Sequence, residues 1–216
     1  MLLRYASDPE FLIMVIVAFV VAITIHEAAH ALAATWLGDD LPRLQGRLTL
    51  NPMRHLDPLG TLMIAFASFG WGRPVLVNPY RLRFGLNRGM ALVALAGPVS
   101  NVALALALTP VTRQLLDSLP NLIGSTPDVL AAKALLVAVE INIVLAVFNL
   151  LPIPPLDGFS VLVGVAPQPL ADRLNELRRY GPYLLIGIFM LIWLIPQGTI
   201  IITGPAQWIF EFLLGA

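Results

Sequence analysis

From Phe11 to Leu37 the chain runs almost without interruption through apolar side chains, broken by ionisable groups only at His26, Glu27 and His30. A helix needs about 20 such residues to cross the hydrocarbon of a bilayer, so this run is long enough to span one. A signal peptide is a poor alternative. The only basic residue ahead of the run is Arg4, the run far exceeds a signal core, and no small-residue cleavage site stands clear of it. Gly89–Leu108, Ala131–Leu151 and Tyr180–Ile202 are further runs of spanning length. The composition agrees: 58% of residues are hydrophobic and 12% charged, against about a quarter charged in soluble domains. The expectation is an all-α, polytopic integral membrane protein with about four transmembrane helices, its partner the lipid bilayer.

Two stretches fit a span less well. Leu59–Gly70 is short and punctuated by glycine, and it leads into the extended-looking Trp71–Pro79. It reads as a re-entrant or interfacial element, since non-helical backbone at that depth needs cover from protein or water. The tail Pro205–Ala216 reads as interfacial. Trp71–Arg88 carries Arg73, Arg81, Arg83 and Arg88 without an acid, and Gly158–Arg179 carries Arg173, Arg178 and Arg179, whereas Thr109–Leu130 has Arg113 as its one arginine. The positive-inside rule then places the first two segments in the cytoplasm, and the third, with the N-terminus, outside. The whole of 1–216 reads as one membrane domain, with a core at about 11–158 and an extra span and tail at 180–216. The 13 basic and 13 acidic residues cancel, so no global field points to nucleic acid.

The chain has no cysteine and 3 histidines, which excludes thiolate chemistry and leaves His, Asp and Glu as metal ligands. His26-Glu27-Ala28-Ala29-His30 sets two imidazoles four residues apart, on one face of a helix. Glu27 projects close enough to take a proton from an activated water. Charged groups at the centre of a spanning helix cost roughly 2.5–3.5 kcal/mol each on insertion scales, so their presence calls for a function. The alternative is a polar patch that helps helices pack. A catalytic zinc takes three protein ligands and keeps one position open. His55, Asp57, Glu140 and Asp157 are the candidates for the third. Asp157 follows Pro152, Pro154 and Pro155 and precedes Gly158, a turn that either aims a carboxylate or merely ends a helix. His55 and Asp57 read as members of a solvated or turn-forming loop. Glu140 and Asn142 lie within a span and should face the bundle interior or a hydrated cavity, as structural pairs.

HEAAH in the first span and Asn149-Leu150-Leu151-Pro152-Ile153-Pro154-Pro155-Leu156-Asp157-Gly158 after a later one resemble the paired signatures of the site-2 proteases, intramembrane zinc metalloproteases. Gly97-Pro98-Val99-Ser100-Asn101 is similar to that family's GPxxN element. Asn51-Pro52, His55–Gly60 and Trp71–Pro79 are similar to a compact branch without a PDZ or nucleotide-sensing domain. The resemblance runs from about Ile23 to Gly158. It implies one zinc (Zn2+) held by His26, His30 and Asp157, with Glu27 as general base. It also implies that Asn101, and Asn149 with it, positions the substrate carbonyl or stabilises the oxyanion; a role for Asn101 in interhelical hydrogen bonding is the alternative.

The implied activity is hydrolysis of peptide bonds in or near transmembrane segments of membrane protein substrates, in the cell membrane. His26 lies 11 residues before Leu37, about 16 Å at 1.5 Å per residue, which puts the site in the cytoplasmic half. Three rivals stand beside this reading. A membrane metalloprotease of another class would use Glu140 as third ligand. A catalytically silent binding protein or chaperone would keep only the fold, and a transporter would want paired repeats that the chain does not show.

Overall fold

The structure, a computed structural model, describes residues 8–60, 71–119, 122–124, 126–194 and 199–215. Three helices among them are long and apolar enough to cross a membrane: α1 at Pro9–Trp36, followed by the single turn α2 at Leu41–Leu44, then α3 at Leu86–Ser118 and α4 at Pro127–Asn149. Asp8 starts α1 by accepting the Phe11 N–H at 3.1 Å, with Pro9 in the first turn where a missing N–H costs nothing. The three helices pack on one another. Their outer faces stay apolar, with Val17 56% and Leu106 51% exposed, whereas Thr24, His26, Glu27, His30, Asn101 and Asn142 are buried. A polar interior with an apolar exterior is stable in lipid and unstable in water.

The helix boundaries refine the hydropathy reading. α3 does not stop at Leu108 but continues to Ser118 with Pro98 and Pro110 inside it. Hydropathy falls after Leu108, yet the residues that follow still suit a helix, and Thr109 and Thr112 donate their hydroxyls to the Ala105 and Leu108 carbonyls. The expected span Tyr180–Ile202 appears as α7 at Gly181–Leu194 and α8 at Ile200–Leu214, with residues 195–198 outside the described residues. Pro205 lies within α8 rather than opening the tail, and Ala206 packs into a small cluster with Ala105, Val139 and Ile143. Between α4 and α7 come two short helices, α5 at Asp157–Val165 and α6 at Gln168–Leu177; α5 lies against α3.

From residue 61 the expected re-entrant stretch Leu59–Gly70 lies outside the described residues. Its flanks meet. Leu56 pairs with Gly72 in an isolated antiparallel bridge, and a Cβ on Gly60 would stand 2.2 Å from the Trp71 carbonyl oxygen. The chain therefore leaves and returns at one point. Arg47 ties this base together: its buried guanidinium donates to the carbonyls of Arg54 and Arg73, and to that of Pro74 at 2.6 Å. His55, expected in a solvated loop, is fully buried and bonded through Nε2 to the Thr49 carbonyl at 2.7 Å. The loop packs because Arg47 and His55 satisfy carbonyls that water would otherwise have to reach.

Candidate active site

The geometry begins with two antiparallel rows. Ala22, His26 and His30 follow one another at intervals of four along α1, and Val93, Gly97 and Asn101 do the same along α3, so each set lies on one helix face. Where the rows meet, His26 Nδ1 lies 2.7 Å from Asn101 Oδ1 and His30 Nδ1 lies 2.8 Å from the Val93 carbonyl. Between these contacts the backbone of α3 passes directly over both rings. A Cβ at Gly97 would come 2.5 Å from His30 Nε2 and 2.6 Å from His26 Nε2, so only glycine fits.

Asp157 reaches the same place from the other end of the chain. After α4, the proline-rich Leu151–Leu156 turn reverses direction and Asp157 opens α5. Gly158 lets that turn close against α4, for a Cβ there would lie 2.1 Å from the Leu150 carbonyl oxygen. Asp157 Oδ2 then lies 3.1 Å from His26 Nε2 and 3.2 Å from His30 Nε2, while the two Nε2 atoms are 3.0 Å apart.

The tautomers decide what this triangle is for. Asn101 Oδ1 and the Val93 carbonyl only accept hydrogen bonds, so each His Nδ1 carries a proton, and in a neutral imidazole Nε2 is then a bare lone pair. Two bare nitrogens and a carboxylate oxygen thus face one another, and Asp157 Oδ2 is buried without a directed hydrogen bond. Such a cluster repels itself unless a cation sits within it. Donor atoms placed about 2.0–2.2 Å from a tetrahedral zinc are themselves about 3.3–3.5 Å apart. The observed 3.0–3.2 Å triangle is close to that size. His26, His30 and Asp157 are the set of three or more candidate ligands found together among the described residues, and this donor set fits a zinc ion.

Glu27, buried beside the triangle, accepts the Val75 N–H at 3.2 Å through Oε2. The extended stretch that carries Val75 is the one clamped by Arg47. Sequence reasoning missed both the clamp and this amide, because nothing distinguishes Arg47 from other loop arginines until the fold buries it. Asn101 is fully buried, and its amide N–H groups are spent on the Ala22 carbonyl at 3.1 Å and on Asn142 Oδ1 at 2.9 Å. These bonds join α3 to α1 and to α4. Asn149 sits half-buried at the end of α4 and donates to the Leu145 carbonyl at 2.9 Å. Glu140 stands apart from the triangle, on a cleft shared with Asp8, Glu10 and Lys133.

The family described as Peptidase family M50 matches residues 116–194, the part of the chain that carries Asp157. A Bacillus subtilis protein named "Putative zinc metalloprotease YwhC" is 36% identical over 193 residues, covering 87% of this chain and 83% of its own length. The chain belongs to peptidase family M50. Two mycobacterial M50 relatives, each named "Putative zinc metalloprotease Rip2", extend the match. The Mycobacterium tuberculosis protein is 31% identical over 202 residues, 92% of this chain and 73% of its own length. The Mycolicibacterium smegmatis protein is 32% identical over 216 residues, 98% and 75% respectively. No solved structure matches this M50 chain. M50 peptidases are the site-2 proteases, the family that HEAAH and the LDG turn resemble.

Proposed function

We propose that this M50 chain is an intramembrane zinc endopeptidase that cuts other membrane proteins in or near their transmembrane segments. The observation that most supports it is the triangle of two imidazole nitrogens and a carboxylate oxygen beside a buried glutamate, inside a helix bundle with an apolar exterior. His26, His30 and Asp157 are the residues that would hold the metal. Zinc, when bound, supplies Lewis acidity that polarises a carbonyl and lowers the pKa of water. Glu27 takes the proton that the attacking water loses and passes it to the leaving amine. The Val75 N–H fixes one carboxylate oxygen of Glu27. Asn101 orients His26, and Asn149 is left for contact with the substrate backbone. Asp157 keeps 19% of its side chain exposed while His26 keeps 3%, so substrate and water arrive from the Asp157 side. The arginine distribution supports a site that opens in the cytoplasmic half of the cell membrane.

A helical substrate must unwind locally, because each helical peptide group is held in its own hydrogen bonds. The test is cleavage of a panel of single-span peptides reconstituted with purified protein. Wild type should cleave at least one of them, and Glu27→Gln should lose at least about 10²-fold in rate while keeping its metal. Equal cleavage by both would reject the mechanism.

A further inference from the structure

The hydrogen bonds that hold His26 do not end with Asn101. Asn142, on α4, is 1% exposed in the middle of a spanning helix, and nothing in the catalytic reading uses it. Its Nδ2 donates to the Ala138 carbonyl one turn back in α4 at 2.8 Å. Its Oδ1 accepts from Asn101 Nδ2 at 2.9 Å. Asn101 spends its other amide hydrogen on the Ala22 carbonyl of α1 at 3.1 Å and turns Oδ1 toward His26 Nδ1 at 2.7 Å.

This chain of bonds has a direction that cannot be reversed locally. Backbone carbonyls only accept, so the Ala138 carbonyl forces the NH2 end of Asn142 toward itself and its oxygen toward Asn101. That oxygen and the Ala22 carbonyl then force the NH2 end of Asn101 toward them and its oxygen toward His26. An oxygen facing Nδ1 demands a proton on Nδ1, which leaves Nε2 bare and aimed at the triangle. With the Asn101 amide turned over, an N–H would face Nδ1, the proton would move to Nε2, and His26 could not act as a ligand. From this juxtaposition we infer that Asn142 is a positioning residue that sets, through Asn101, the tautomer and metal affinity of His26. A tertiary contact between α4 and α3 is thereby coupled to the metal-binding power of α1. His30 lacks such a relay, since its Nδ1 bonds directly to the Val93 carbonyl.

The inference rests on His26 as a zinc ligand, and the experiment separates the two. Zinc affinity is measured by chelator competition on the full-length protein in detergent, for wild type, Asn142→Leu and Asn142→Asp. The ring N–H signals of the 3 histidines are followed by NMR on the zinc-saturated, ring-¹⁵N-labelled chain. Removing a residue that orients a metal-ligating histidine typically costs about 10–100-fold in affinity, and Asn142→Leu should fall in that range. Its His26 Nδ1–H signal should shift while the His30 Nδ1–H signal stays in place. Asn142→Asp should recover most of the affinity, because a carboxyl kept neutral by burial can still donate to Ala138 and accept from Asn101. Unchanged affinity in Asn142→Leu, equal movement of the His26 and His30 signals, or no recovery in Asn142→Asp would each overturn the inference. A wild-type chain that binds no zinc would instead overturn the proposed function.

Discussion

Replacing Gly97 by alanine tests the packing that creates the site. The new methyl carbon would lie 2.5 Å from His30 Nε2 and 2.6 Å from both Cε1 and Nε2 of His26. Non-bonded contacts settle at about 3.5–4.0 Å, so each ring would have to retreat by about 1 Å. Neither can do so freely, because the Asn101 and Val93 bonds hold them from behind. An extra carbon in a packed core costs about 1–3 kcal/mol, and here that cost falls on the state in which both Nε2 atoms face the metal. In the metal-free protein no ion fixes the Nε2 atoms and only those two hydrogen bonds resist the shift, while alanine gains about 1 kcal/mol over glycine in helix propensity. The two forms should therefore respond with opposite signs. Gly97→Ala should weaken zinc by about 5–150-fold, while unfolding in the presence of a chelator is little changed or slightly later. Chelator competition and thermal unfolding with and without zinc read the two halves separately. Wild-type zinc affinity in Gly97→Ala would refute the claim that α3 passes over the imidazole pair.

Further predictions concern the loops. Arg47→Met removes a buried donor from three carbonyls, and orphaned buried acceptors cost about 1–3 kcal/mol each. It should destabilise the 41–57 and 71–79 segments, seen as early proteolytic nicking there; wild-type resistance would count against the clamp. Because the native chain has no cysteine, single cysteines can map the topology with an impermeant thiol reagent. Positions in 39–57 and 81–88 should label from the same, cytoplasmic face and those in 122–124 from the other, whereas labelling of the first two from opposite faces would show that residues 59–70 span.

Much of this was legible in the sequence because the bilayer imposes strong rules. Length and apolarity located α1, α3 and α4, and the spacing of His26 and His30 placed two ligands on one face. What escaped depended on contacts between distant segments. The end of α3 was missed because hydropathy falls after Leu108 while the helix itself continues past Pro110 to Ser118. The burial of Arg47 and His55 follows from their fit to backbone carbonyls, which composition does not encode. The function of Asn101 was legible as polar and in-span, but its partner was not: an amide can serve as donor or acceptor, and only the Ala22 and Asn142 contacts decide which end faces His26.

The central claim is that three side chains brought together from Ala22–His30 and the Leu156–Gly158 turn hold one metal ion. Elemental analysis of zinc per chain, on protein purified in detergent, tests it most directly. Wild type and Glu27→Gln should carry one zinc per chain, and His26→Ala, His30→Ala and Asp157→Ala should each lose it or hold it weakly, as a site with three protein ligands requires. Full occupancy in Asp157→Ala would contradict the account, since the carboxylate that closes the triangle would then not be a ligand.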